Sequence, residues 1–542
     1  MKKKYAYILW SIIGLLLVAF FLIQDEHQKT LDGSICSLEK MGKIESKIEW
    51  VPREETGDLM FKDTPVPYDG EYDLYYFPLN TELEWRDYIF LPEFGQMNIY
   101  WYEDEYWNDM ETAIRESHVF HFLITDGNRG TKCNIVFTGL PMAFIRDVQQ
   151  IDMITFAKFT LFDPFFTADG DYQILKTFMH YEHRGKTSRL FPKMGLNIEL
   201  CNLDKEKEKH SLLGMREDDD WKLNALYSDE SKIREKTCLE LWNEIARLTP
   251  EPYDQGSRME YLEVIMNWEY QGVYGLQEPI DYKQTSLDKE KDILYKTVLQ
   301  PYEKKEENDG SDMDGVPSYY GIEIKTFHRW PTDELWNPAM AYVEDFGILD
   351  DEIHKLIFEF TKADKFIKNH FNMDNFLSFE LFIQMIYGKD NLYKNQYWAV
   401  ERENSEEYCM WKIPWDLNYS FGDVYSLAND KFTVFDENSS RDILRYSLIT
   451  EEFVKIDHME YAQLVNEKWQ ELRTCIFSEE NIKGHFNSNY MELLNSGAYL
   501  RDSANWSDEE KIPDITYIMT WIDNKLDFLD SYYESLVEGQ LN

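Results

Sequence analysis

The apolar residues of this chain change period along its length, and that change constrains the fold more than any single motif. From about residue 71 they alternate with polar residues as in half-buried strands, at Tyr72 to Phe77, Met97 to Tyr102 and Cys133 to Phe137. Phe156 to Phe166 is apolar and aromatic without a clear period. Gln173 to His183 and Met194 to Leu200 flank Arg184-Gly185-Lys186-Thr187-Ser188, and two extended runs around a polar, glycine-containing stretch predict a hairpin. Asp229 to Leu248 switches to helical spacing, with Ile233, Cys238, Leu241, Ile245 and Leu248 near one side and Ser228 or Asp229 available as a cap. Met259 to Trp268 and Val273 to Gln277 predict a further strand pair, and the Lys- and Glu-rich residues 283–308 a solvated connector. From Asp351 onward helices are expected at 351–364, 374–386, 450–474 and 513–537. A strand-rich half followed by a helix-rich half predicts an α+β fold of two lobes.

Five segments follow from this pattern: 1–24, then a stalk or linker over 25–70, an accessory strand-rich segment over 71–130, a β-rich lobe over 131–300 and a helix-rich lobe over 301–542. The first opens with Lys2, Lys3 and Lys4 and continues as an apolar run from Tyr5 to Ile23. At 1.5 Å per residue that run spans about 28 Å, one hydrocarbon thickness. The run ends in Phe20-Phe21-Leu22-Ile23 without a small-residue cleavage site, so an uncleaved N-terminal transmembrane helix is expected. With lysines inside, it would place the soluble domain of a single-pass protein outside the cytoplasm.

The formal net charge of −45 excludes binding nucleic acid through the body, and favours a basic protein or divalent cations instead. An aromatic content of 16% is too high for a disordered acidic chain, so the acids coat something folded. The six cysteines (Cys36, Cys133, Cys201, Cys238, Cys409 and Cys475) share no CxxC or repeated spacing, which points to buried thiols.

Four places could carry chemistry. Arg184, Lys186 and Lys193, with Thr187 and Ser188, gather basic groups and hydroxyls around a turn, suited to neutralising a polyphosphate. In Gly388-Lys389-Asp390-Asn391-Leu392-Tyr393-Lys394-Asn395, Asp390 and Asn395 are five apart, the offset of the base Asp and metal-binding Asn in ordinary protein kinases. In Trp411-Lys412-Ile413-Pro414-Trp415-Asp416-Leu417-Asn418, an extended run delivers Asp416 to a turn. Alternation would point Asn418 the same way, giving hard oxygen donors for Mg²⁺ or Mn²⁺. Glu278 ends a predicted strand, where a carboxylate could hold a lysine that reaches phosphate, and Lys193 is the partner expected. GxGxxG, VAIK, HRD, DFG, Walker A, HExxH and GxSxG are all absent.

The combination of Arg184-Gly185-Lys186-Thr187-Ser188 with Pro192-Lys193, Gly272-Val273-Tyr274-Gly275-Leu276-Gln277-Glu278-Pro279-Ile280-Asp281, and Ile413-Pro414-Trp415-Asp416-Leu417-Asn418-Tyr419-Ser420-Phe421-Gly422 resembles the CotH family, the spore-coat-associated atypical protein kinases. The likeness extends over about 400 residues in the family's order, and residues 25–110 carry little of it. It implies a highly modified kinase-like two-lobed fold that binds ATP with Mg or Mn and phosphorylates Ser or Thr of a protein substrate, basic and Ser-rich, in spore coat or envelope assembly around a forespore. Carried across by position, Asp390 and Asn395 are the catalytic pair, Asp416, Asn418 and Asn395 hold metal, and Arg184, Lys186, Lys193 and Glu278 serve the nucleotide. Lys389 and Asn418 depart from the family pattern, which often has Gly-Asn-x-Asp and a second Asp there. These departures motivate the alternative of a weak or inactive assembly protein tethered to the membrane.

Overall fold

The computed structural model describes residues 29–166, 171–185, 187–249, 251–298, 318–319, 322–325, 337–341, 349–350, 355–356, 360–392, 394–404, 406–423, 434–446, 460–507 and 511–538. The first body is a seven-stranded sheet in which Arg129–Thr138 runs antiparallel to Val119–Thr125 and parallel to Leu74–Pro78. Its core is aromatic, packing Phe61, Tyr75, Phe77, Trp101, Phe122 and Phe137. Residues 29–70 do not form the expected stalk. Their strands Ile35–Cys36, Glu49–Trp50 and Tyr68–Asp69 pair into this sheet, and Leu31, Leu59, Phe61 and Val66 are buried in its core.

A closed barrel follows, built from β1 (Met142–Ile151), β2 (Ile154–Asp163), β3 (Gln173–His183), β4 (Leu196–Cys201), β5 (Asp220–Asn224), β6 (Met259–Met266) and β7 (Glu269–Gln277). The order around it is β1-β2-β3-β4-β5-β7-β6, closed by the parallel pairing of β1 with β6. The ambiguous Phe156 run is strand β2, its alternate residues Ala157, Phe159 and Leu161 filling the barrel core. The hairpin expected around Arg184 forms between β3 and β4. Helix α1 (Arg234–Ala246) lies between β5 and β6 in the chain. Gly272 sits at φ +82°, where β7 shifts register against β6. A Cβ there would lie 2.2 Å from Asp502 Oδ1, so only glycine permits that approach.

The third body combines a five-stranded sheet with helices. The sheet contains β8 (Ile293–Thr297), β9 (Ser318–Tyr319), β10 (Ile322–Ile324), β11 (Gln396–Arg402) and β12 (Tyr408–Pro414), ordered β9-β10-β8-β11-β12. Thus residues 283–308 are not simply a solvated connector: Ile293, Leu294 and Tyr295 are fully buried at the centre of this sheet. The helices are α2 (Phe360–His370), α3 (Met373–Ile386), α4 (Glu437–Tyr446), α5 (Glu460–Arg473), α6 (Glu479–Asn495), α7 (Ala498–Trp506) and α8 (Thr516–Glu538). Helix α3 is buried on every side from Asn375 to Ile386, which makes it the axis of the lobe. It starts on an Asn372 side chain that accepts from Asn375 N and ends on left-handed Tyr387, so its C-terminus delivers the turn at Lys389–Asn391.

Residues 1–24, expected as a membrane anchor, lie outside the described residues, and among the described residues no helix is long and apolar enough to cross a membrane. The transmembrane helix, the membrane as a partner and the single-pass location are corrected on that finding, and the mixed α+β fold stands without them.

Candidate functional site

Two loops bring the acidic residues together. The turn after α3 carries Asp390, and Asn391 fastens it from within: its amide donates to Trp415 O (2.7 Å) and Asn395 O (3.2 Å). Trp415 N in turn donates to Asn395 O and Asn395 N to Thr297 O, each at 3.0 Å, so β8, the Asp390 turn and the Asp416 segment are one hydrogen-bonded unit. Asn395 Nδ2 donates to Asp390 Oδ2 (2.7 Å) and Lys394 Nζ lies 2.9 Å from the other oxygen. The Asp390 side chain is still 32% exposed, so it is held but reachable.

Tyr387, Asn395, Asp416 and Phe421 all have positive φ (60°, 53°, 60° and 47°). Left-handed backbone costs a bulky residue such as Tyr387 or Phe421 free energy that the surrounding structure must offset, and such residues cluster at functional sites. At Asp416 this conformation breaks the extended alternation on which a shared orientation with Asn418 rested. The Asn418 amide instead donates to Ser228 Oγ (2.8 Å). Burial raises the Asp416 carboxyl above its ordinary value, Asp390 adding to the effect and Arg184, Lys296 and Lys394 opposing it.

Opposite these carboxylates stand the cations. Arg184 follows β3, its guanidinium 5.7 Å from the Trp415 ring centroid and its Nη1 buried without a hydrogen-bond partner among the described residues. The side chain of Lys222, in the middle of β5, is half-buried and has no hydrogen bond or ion pair among the described residues. Burial lowers its ammonium to about 8, with Arg184 and Lys296 lowering it further and Asp220 and Glu182 opposing. Lys296 of β8 lies over the Tyr397 and Trp415 rings. Behind them, Glu235 in the first turn of α1 is 1% exposed. Its Oε2 accepts from Leu417 N (2.5 Å), and burial, then the Asp416 charge, pushes its carboxyl up to about 8 against the opposing Leu417 N–H, Arg184 and Gln277.

The structure therefore gathers Arg184, Asp390, Asn395 and Asp416 at one place. Lys193 and Glu278 are not joined. Lys193 is 1% exposed, with Nζ 2.6 Å from Asp502 Oδ1 and donating to Val273 O, while Glu278 Oε1 accepts from Arg216 N (2.9 Å). Lys186 lies outside the described residues. Among the described residues no group of three or more His, Cys, Asp or Glu side chains could hold a metal ion.

Three side chains at this place have no counterpart in the expectations above: Lys222, Glu235 and Lys296. Glu235 had a signal, since it precedes Cys238 by three residues and Trp242 by seven and so lies on the buried stripe of α1. Lys222, between Trp221 and Leu223, reads as the solvent face of a strand. Only the elements that bring Arg184 and Lys296 beside it half-cover that face.

A protein-family model described as CotH kinase protein matches residues 181–529, a stretch that includes every side chain of this site just named. No curated protein matches the chain.

Proposed function

Given that the chain belongs to the CotH kinase protein family, we propose that it is an ATP- and divalent-metal-dependent protein Ser/Thr phosphotransferase, acting in coat or envelope assembly. The observation that carries this reading is a pair of half-buried cations: Arg184, whose Nη1 has no hydrogen-bond partner among the described residues and which stands close enough to Asp416 to act on its carboxyl, and Lys222 beside it, without an ion pair among the described residues. Positive charge partly withdrawn from water without a close counter-ion is costly, and a polyphosphate is a ligand whose arrival removes that cost. The donor set also suits the metal. Mg²⁺ is commonly held by one or two carboxylates plus substrate phosphates, so a cluster of three protein acids is not required. Asp416 would hold the ion, with Asn395 near it, and the bound ion would offset charge on the phosphate oxygens.

In this mechanism Asp390 accepts the proton of the substrate Ser or Thr hydroxyl as its oxygen bonds to the γ-phosphorus. The bond from that phosphorus to the β–γ bridging oxygen breaks, and ADP leaves with the electron pair. Asn395 and Lys394 keep the Asp390 carboxylate oriented. Arg184, Lys222 and Lys296 offset negative charge on the phosphates within a site walled by Trp415 and Tyr397, where reduced water strengthens the attraction.

Calorimetric titration of the full chain with ATP and Mg²⁺ tests the reading. Wild-type protein should bind, and Lys222→Met should bind about tenfold more weakly or worse, the worth of one charge-assisted contact. No binding by wild-type protein sinks the proposal. The alternative, a weak or inactive assembly protein, draws on one observation, the commitment of the Asn418 amide to Ser228 rather than to Asp416.

A further inference from the structure

The first turn of α1 grips the Asp416 segment with two neighbouring residues, Arg234 and Glu235. Glu235 Oε2 accepts from Leu417 N at 2.5 Å. Arg234, itself 1% exposed, donates from Nε to Ser420 O at 3.0 Å, is anchored to Asp229 at 2.5 Å and reaches Tyr517 Oη at 2.7 Å. Cys238 Sγ lies 3.3 Å from Ser420 Oγ, one turn further along the same helix. The other Glu235 oxygen lies 3.5 Å from Gln277 Nε2 at the end of β7. Glu235 thus spans barrel, helix and Asp416 segment.

We infer that Glu235 is a positioning residue, which fixes the Asp416 carboxylate relative to Arg184 and Asp390 by holding the backbone one residue beyond it. This rests on the phosphotransfer reading and deepens it. The reasoning is one of relative cost. A buried acid beside a second carboxyl group is an expensive way to satisfy one backbone N–H, which a neutral amide would satisfy with the same reach. Helix α1 needs an acid in its first turn only weakly. What the side chain does supply is reach. Its length places an acceptor on Leu417 N just after the left-handed residue Asp416, where peptide rotation would swing the carboxylate away.

Reach and the acid group are separable by two substitutions. Glu235→Gln keeps the reach and removes the acid, and Glu235→Asp keeps the acid and shortens the reach by one methylene. Full-length wild-type, Gln and Asp proteins are compared for phosphate transfer from ATP and for hydrogen exchange at the Leu417 amide. Positioning predicts that Glu235→Asp loses on the order of 100-fold in kcat with little change in KM for ATP, because a small misplacement of a reacting group is that costly. Its Leu417 amide should also exchange on the order of tenfold faster. Glu235→Gln should retain slow exchange and most of kcat. The reverse order of the two variants, or equal effects from both, overturns the inference. Wild-type protein that transfers no phosphate overturns the phosphotransfer reading instead. In that case equal Leu417 exchange in the Asp and Gln variants overturns the grip as well.

Discussion

Lys193 offers a sharp test because two roles predict opposite outcomes for one substitution. As a nucleotide contact its loss would cost affinity and little stability. As the structure places it, the loss costs stability and little affinity. Its ammonium is 1% exposed and lies 2.6 Å from Asp502, which also pairs with Lys232 at 2.8 Å and accepts from Val273 N at 2.8 Å. Burial alone would raise the Asp502 carboxyl, but Lys193 and Lys232 override it and hold it down at about 2 against an ordinary 3.8. That depression is worth about 2 kcal/mol, present above the ordinary value and lost as pH falls through about 2. Burial lowers Lys193 itself from 10.5 to about 8, the Asp502 charge opposing, which costs about 3 kcal/mol at neutral pH. Forming the pair is therefore close to break-even, and breaking it is what hurts. Asp502→Asn strands two ammonium groups and should destabilise by about 3–5 kcal/mol. Lys193→Met leaves Asp502 with Lys232 and the Val273 N–H and should cost less, about 1–3 kcal/mol. Urea unfolding followed by tryptophan fluorescence measures both, and calorimetry with ATP and Mg²⁺ should find the affinity of Lys193→Met within about twofold of wild type, as expected for separate sites. A Lys193→Met protein of wild-type stability that has lost ATP affinity would refute this reasoning.

Two further outcomes follow from the site and its supports. Asp416→Ala should abolish turnover, while Asn418→Ala, which removes only the Ser228 contact, should retain a measurable rate; similar turnover in both would contradict the assignment of Asp416. His485 of α6 lies 3.0 Å from Glu240 and 3.1 Å from Glu244 of α1, and the Glu240 hydrogen bond raises it above its ordinary 6.5 against the opposing burial, with Glu244 adding. Its contribution is full below 6.5 and lost as pH rises through the raised value, so the melting temperature of wild type should fall toward that of His485→Gln on raising the pH from 6. A gap between the two that does not change with pH would contradict it.

Much of this molecule could be read before folding, and the failures have physical causes. The β3–β4 hairpin was legible because period-two runs flank a polar turn. The side chain of Asn395 reaches Asp390 and an extended strand leads toward Asp416, both arrangements being local in the chain. Residues 29–70 were misread because their strands are two or three residues long, too short to show a period, although Leu59 and Phe61 are core residues. Strand β8 was lost inside a Lys- and Glu-rich stretch, its only signal being Ile293-Leu294-Tyr295. The burial of Lys193 away from the site turns on a counter-ion 309 residues away, at Asp502, a distance no spacing argument covers.

The most direct test is transfer of labelled phosphate from ATP by the full-length chain to a basic, Ser-rich protein, with Mg²⁺ or Mn²⁺ and an Asp416→Ala control. The account predicts transfer that depends on the metal and disappears in the control. Transfer of equal extent in wild type and control would contradict it, as would wild-type protein that neither transfers phosphate nor binds ATP.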